Sequence, residues 1–305
     1  MEDSIPSDAF RALSTYIREK SPELSATCQS IYEKSKTLKA MREFSIYPYL
    51  FCPDLGIDNE LTFILSQMYV CLTLFFRIQD CAVDQPTRNN TQHLLFTNVL
   101  LGYLLNLLHH FPSKIFDILE RTFIEYSTSS TYEIETYSFC RDTFIDPTKL
   151  DFNDISFLGK KFSPLKIPLA AALLHSDKGT LHVIDSLINT YGIALQLRND
   201  IIDWEEDYER GQMTYFLSEV IKTSFSHEHR WPEVHEIKRA ILFSDVLMRM
   251  MTLELQYMIE AKNISQEISL QFSKFFENRV KQVKRDIEEL IIWKYRHSKT
   301  GFITP

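Results

Sequence analysis

The sequence predicts an all-α protein, and three observations carry that expectation. Glycine is scarce, with seven in 305 residues, and strand-rich folds need many tight turns of the kind glycine serves. Apolar residues recur every three or four positions, most clearly at Ile268, Phe272, Phe276, Val280, Val283, Ile287 and Leu290, which is the period of an amphipathic helix. Apolar residues also make up 45% of the chain, enough for a sizeable core.

The elements follow in order. Asp58 is placed to cap a long helix running to about Asp84 and stopped by Pro86; at 1.5 Å per residue it is roughly 39 Å long. Phe96 to Leu108 is apolar on all sides and so central. Pro112 ends it, and Ser113 is placed to cap a helix carrying Ile115, Ile118, Leu119 and Phe123. Residues 146–168 contain Pro147, Pro164 and Pro168 and read as broken, irregular chain. A helix from about Thr180 to Asp207 follows, ended or kinked by Arg210 and Gly211. Pro232 suits the first turn of another long helix reaching about Lys262. The amphipathic stretch from Ile268 closes the chain. With no repeat, low-complexity tract or linker, residues 1–305 are expected to form one domain.

Composition excludes several classes. The net charge is 33 − 41 = −8, the wrong sign for holding nucleic acid through its phosphates. The five cysteines, Cys28, Cys52, Cys71, Cys81 and Cys140, form no CxxC pair, which argues against a disulfide scaffold or zinc knuckle and fits a cytoplasmic location. Leu61 to Phe76 is strongly apolar but holds Ser66, Gln67 and Thr73 and is short for a membrane span, so a buried helix is expected. His227-Glu228-His229 lacks HExxH spacing and reads as a solvated loop, and no P-loop, GxGxxG or GxSxG motif occurs.

The informative segment is QLRNDIIDWEEDYERG, Gln196 to Gly211. On a helix Gln196, Asn199, Asp200, Asp203 and Asp207 share one face, which continues an apolar stripe from Ile184, Ile188, Tyr191 and Leu195. Carboxylates four residues apart repel unless they are solvated or cations sit on them, and hard cations such as Mg²⁺ take one or two carboxylates plus phosphates and water. A second pair, Asp80 and Asp84, stands at the same spacing in FFRIQDCAVD, at the C-terminal end of an apolar helix. The partial negative charge there makes two carboxylates unfavourable without a cation. If the two helices pack side by side, four carboxylates face a gap that a metal-bridged diphosphate would fill.

These residues resemble the aspartate-rich motifs of class I isoprenoid (terpene) synthases. Gln196-x-x-Asn199-Asp200-x-x-Asp203 is similar to the second motif of trans-prenyltransferases, with Asn199 in place of an Asp. Asn199, Asp200, Asp203 and Asp207 follow the spacing of the terpene-cyclase motif, and Asp203, Asp207, Arg210 and Gly211 that of squalene and phytoene synthases. Cys81 stands where the first prenyltransferase motif has its second Asp.

The resemblance implies a helical bundle with a central active-site cavity. It also implies an Mg²⁺-dependent enzyme that ionises a prenyl diphosphate of C15 or C20 length, in a family that often forms homodimers. Asp80, Asp84, Asn199, Asp203 and Asp207 are then metal ligands, and Asp200 binds metal or orients basic neighbours. In LGKKFSPLKIP, Lys160, Lys161 or Lys166 holds diphosphate oxygens, as do Arg210 and, upstream, Arg42 with Lys39. Lys294-Tyr295-Arg296 caps the site. Tyr69, Phe76, Tyr191 and Gln196 line the pocket, where aromatic faces stabilise a cation. The Cys81 and Asn199 departures favour a cyclase. The alternatives are a prenyl diphosphate synthase, a squalene-type coupling enzyme, and a non-catalytic helical interaction protein.

Overall fold

The computed structural model describes residues 5–33, 35–84, 88–137, 152, 154–177, 181–226 and 230–299. Among these residues every regular element is a helix, as expected. The chain divides into two compact units, neither contiguous in sequence, so no linker separates them. One holds Met1–Phe123, Pro164–Asp185 and Gln266–Phe272; the other holds Ile124–Ser163, Ser186–Ser265 and Ser273–Pro305.

The first unit contains α1 (Ile5–Lys20), α2 (Ser25–Tyr32), α3 (Ser35–Ser45), α4 (Tyr47–Leu55), α5 (Asn59–Asp84), α6 (Arg88–Leu108), the start of α7 (Ile115–Tyr137) and, after α8, the helix α9 (Lys166–Ser176). Its centre is α5, which packs on α1, α3, α4, α6 and α9. Asp58 caps α5 as its position predicts, its Oδ1 accepting from the Leu61 N–H at 2.9 Å. Asn59–Ala82 is long and apolar enough to cross a membrane, longer than the Leu61–Phe76 stretch suggests. Most of it lies inside the protein, with Leu65, Met68, Val70, Leu72 and Leu74 fully covered.

Several polar groups of α5 are answered internally, while the Tyr69 hydroxyl and Arg77 Nε are buried without a hydrogen-bond partner. The Ser66 hydroxyl donates to the Ser45 carbonyl at 2.8 Å, and the Thr73 hydroxyl to the Tyr69 carbonyl at 2.7 Å. Tyr103 donates to Gln67, and the Cys71 thiol to the Leu100 carbonyl at 3.1 Å. This satisfaction is what a buried helix requires.

The second unit contains the rest of α7, α8 (Ser156–Lys160), most of α10 (Leu181–Arg210), α11 (Tyr215–Phe225), α12 (Val234–Phe243), α13 (Val246–Ser265) and most of α14 (Leu270–Lys299). A core of Tyr137, Phe152, Phe157, Leu197, Tyr208 and Phe216 holds it together. Gly211 ends α10 with φ 77°, a backbone region that costs a side-chain-bearing residue about 1–2 kcal/mol. The turn brings the Met213 N–H to the Tyr137 carbonyl at 2.8 Å, and Thr214 caps α11.

One boundary differs from the sequence reading. The helix expected from Pro232 to Lys262 is two helices, α12 and α13. Ser244 is extended at φ −82°, ψ 176°, and its hydroxyl accepts from the Val246 N–H at 3.3 Å. A serine that can cap a new helix competes with helix continuation. Pro86, Pro147, Cys140 and the His227–His229 segment lie outside the described residues.

Candidate functional site

Gln196, Asn199, Asp200, Asp203 and Asp207 all lie on α10, so their spacing of three and four does place them along one side of a continuous helix. The side is graded in exposure. Asn199 is exposed, Gln196, Asp203 and Asp207 are half-buried, and Asp200 is only 2% exposed. The turns before it are anchored by buried Ile184, Leu187, Ile188 and Tyr191, the last edge-on to Phe276 at 5.0 Å.

Asp200 is the most perturbed of the group. Its Oδ1 accepts from Gln196 Nε2 at 2.8 Å, while Oδ2 is buried with no hydrogen-bond partner. Burial pushes the carboxyl up to about 8, against the Gln196 hydrogen bond and the Lys161 charge, while the Glu133 and Asp207 charges add to the rise. An orphaned buried carboxylate oxygen is costly and marks a place where a cation or proton is expected.

Lys161 follows α8 directly, and its Nζ lies 2.6 Å from Glu133 Oε2 on α7. The ground beneath it is rigid. A Cβ on Gly159 would stand 2.2 Å from the Asn189 carbonyl oxygen, and one on Gly192 would stand 2.8 Å from the Gly159 carbonyl oxygen. Only glycines allow α8 and α10 to touch backbone to backbone there. The Ser129 hydroxyl bonds the Phe157 carbonyl and ties α7 to the same helix.

The other named residues are placed as follows. Arg210 ends α10 and is ion-paired with Glu206 one turn back. In the first unit, Asp80 and Cys81 are half-buried near the end of α5, and Asp84 is its last residue. Arg42 and Lys39 are exposed on α3. Phe76 packs on Phe75 and Phe123, with centroids 5.2 and 5.9 Å away.

Lys166 and Tyr69 are both buried. Lys166 is 1% exposed and paired with Asp185 at 3.1 Å, an acid that Arg121 also reaches at 3.1 Å. Tyr69 is fully buried against Phe44 and Tyr47, at 6.5 and 5.7 Å, and is a core residue. In the second unit, the Lys294 ammonium donates to the Ser244 carbonyl and thereby fastens α14, while Tyr295 and Arg296 are exposed.

Sequence reasoning missed Glu133, the Gly159–Gly192 contact, and a network in which Arg198 pairs with Glu254 at 2.9 Å and Asp286 at 2.7 Å. Gly192 carried a readable signal, since a glycine inside a long helix of so glycine-poor a chain calls for a packing reason. Glu133 carried none.

Among the described residues, no three His, Cys, Asp or Glu side chains converge closely enough to hold a metal by themselves. Mg²⁺ keeps waters and binds through one or two carboxylates plus phosphate oxygens. The hard oxygens of Asp203 and Asp207, four residues apart, and the orphaned Oδ2 of Asp200 fit such an ion.

No family model matches the sequence, and no curated protein does. Solved structures match nearly end to end. Heptaprenyl diphosphate synthase from Staphylococcus aureus superposes with a TM-score of 0.71 at 15% identity, over 93% of this chain and 98% of that one. Decaprenyl diphosphate synthase from Rhodobacter capsulatus gives 0.72 at 10%, over 95% and 99%. A polyprenyl synthase from Caulobacter crescentus CB15, complexed with calcium and isoprenyl diphosphate, gives 0.71 at 14%, over 92% and 94%. The fold is therefore that of these polyprenyl diphosphate synthases.

Proposed function

We propose that this chain is an Mg²⁺-dependent prenyltransferase that ionises an allylic prenyl diphosphate and joins the resulting cation to a second isoprenoid unit. The observation that carries the reading is the α10 face, where the orphaned Asp200 carboxyl feels the Lys161 charge and stands on one helix with Asp203 and Asp207, in a chain whose fold is that of prenyl diphosphate synthases. Cyclisation, expected from Cys81 and Asn199, gains no support from these folds, and prenyl transfer takes its place.

Asp203, Asp207 and Asn199 on α10 are proposed to hold Mg²⁺, and so, as a separate group, are Asp80 and Asp84 on α5. When bound, the ion supplies Lewis-acid neutralisation of the departing diphosphate. Lys161 donates to the diphosphate oxygens and stabilises the charge that grows on them. Gln196 fixes the orientation of Asp200 by its hydrogen bond. Arg210 and Arg42 are secondary diphosphate contacts in the same reading.

The product is proposed to be short. Phe75, Phe76 and Phe123 form a closed triangle of rings, with Phe75 and Phe123 centroids 5.3 Å apart. Phe76 lies one turn before Asp80, about 6 Å along the helix. An apolar tail running from a diphosphate at Asp80 back along the apolar part of α5 meets these rings early.

The test is incubation of purified protein with C10, C15 and C20 prenyl diphosphates, with and without isopentenyl diphosphate and Mg²⁺. Mass spectrometry of the extract then identifies the products. A longer diphosphate appearing only with both additions supports the reading. A cyclic hydrocarbon formed without isopentenyl diphosphate would return the cyclase, and no diphosphate release from any substrate would leave a binding role.

A further inference from the structure

The Lys161–Glu133 pair is set apart by where it sits. Its side chains are 20% and 14% exposed, so it is better shielded from water than a surface pair, whose worth is small. Glu133 also acts on the neighbouring acid, since its charge disfavours ionisation of Asp200 while that of Lys161 favours it. The three side chains come from α7, the residue after α8, and α10, all in one unit.

The backbone beneath Lys161 is locked. The Gly159–Gly192 contact and the Ser129 bond fix α8, and the Lys161 N–H donates back to the Gly159 carbonyl. Beyond that point a lysine has a four-carbon stem with several rotatable bonds, and holding it in one place costs entropy. Glu133 meets that need from a different helix.

Resting on the prenyltransferase reading above, we infer that Glu133 is a positioning residue that holds the Lys161 ammonium ready for a diphosphate. It acts through Lys161, so its effect disappears when Lys161 is removed.

The probe is inorganic pyrophosphate with Mg²⁺, titrated calorimetrically into the full-length protein and its variants, with circular dichroism to establish folding. Lys161→Ala weakens binding in the wild-type background. Glu133→Gln weakens it by roughly tenfold, at the lower end for a supporting residue, and raises KM for the prenyl diphosphate more than it lowers kcat. Glu133→Asp recovers most of the loss. In the Lys161→Ala background, Glu133→Gln has no further effect. Glu135→Gln, an exposed acid on the same helix, changes nothing.

Wild-type-like binding by Glu133→Gln would overturn the inference while leaving the prenyltransferase reading intact, as would a loss additive with Lys161→Ala. Failure of the wild-type protein to bind pyrophosphate at all would overturn both. Should Glu133→Gln fail to fold, the same cycle run with Glu133→Ala decides the point, because it too removes the carboxylate and leaves no polar group in its place.

Discussion

Arg198 Nε donates to Glu254 Oε1 at 2.9 Å, and the other oxygen of that carboxylate, Oε2, is buried with no hydrogen-bond partner. Arg198 immediately precedes Asn199 on α10, so this half-satisfied pair joins the acidic helix to α13, and Asp286 joins it to α14. Breaking a buried pair by removing one partner is expensive because it strands the other charge. Arg198→Met is expected to cost about 3–5 kcal/mol, read as a fall in the urea midpoint. Glu254→Gln, which strands no charge in the interior, is expected to cost less.

The same carboxyl gives a pH dependence. Burial raises Glu254 above its ordinary range even though Arg198 pulls it down. The folded state therefore holds a proton more tightly than the unfolded chain, whose glutamates titrate at about 4.3. Stability from this group is fully present below that value and is lost as pH rises through the raised folded value. Urea midpoints measured upward from about pH 4 are expected to show this decline, with a shallower slope in Glu254→Gln.

At the α8–α10 contact, a methyl group has nowhere to go. Gly192→Ala is expected to lower stability by about 1–3 kcal/mol, as overpacking does. Gly159→Ala is expected to cost more, because its Cβ would meet the Asn189 carbonyl at 2.2 Å against 2.8 Å for the other clash. Thermal denaturation of the two variants tests the ranking.

Removing either acid of the α10 pair should separate catalysis from folding. Asp203→Ala and Asp207→Ala are expected to reduce turnover of a prenyl diphosphate by roughly 10²-fold or more, the scale for loss of one stabilising group at a departing anion. Melting temperatures in the absence of metal should stay near wild type, since both side chains are half-buried on one helix. Equal turnover with and without Mg²⁺ would remove the metal from the proposal.

Opening the ring triangle should lengthen the product. Phe76 is half-buried whereas Phe75 is 7% exposed. Phe76→Ala is therefore the variant that clears space with less damage to the core. Its products are expected to be longer than wild type by mass spectrometry. Phe75→Ala is expected to lose about 3–5 kcal/mol of stability.

Much of this was legible in the sequence because helices are local. The 3.6-residue period placed Gln196, Asn199, Asp200, Asp203 and Asp207 on one side of a helix, and Asp58 and Gly211 marked its kind of boundary, with no knowledge of the packing. Such a period says which residues share a side, not how deep that side is buried. Asp200 is covered while its neighbour Asn199 is exposed, and that difference produces the orphaned oxygen and the raised carboxyl. The choice among Lys160, Lys161 and Lys166 was equally closed to the sequence. Their chemistry is identical, and only the partners brought in from distant helices, Asp185 for Lys166 and Glu133 for Lys161, tell them apart. Charge pairing and desolvation depend on three-dimensional neighbours many residues away, so the tertiary structure alone decided which of these acidic and basic groups are buried and which partner each one meets.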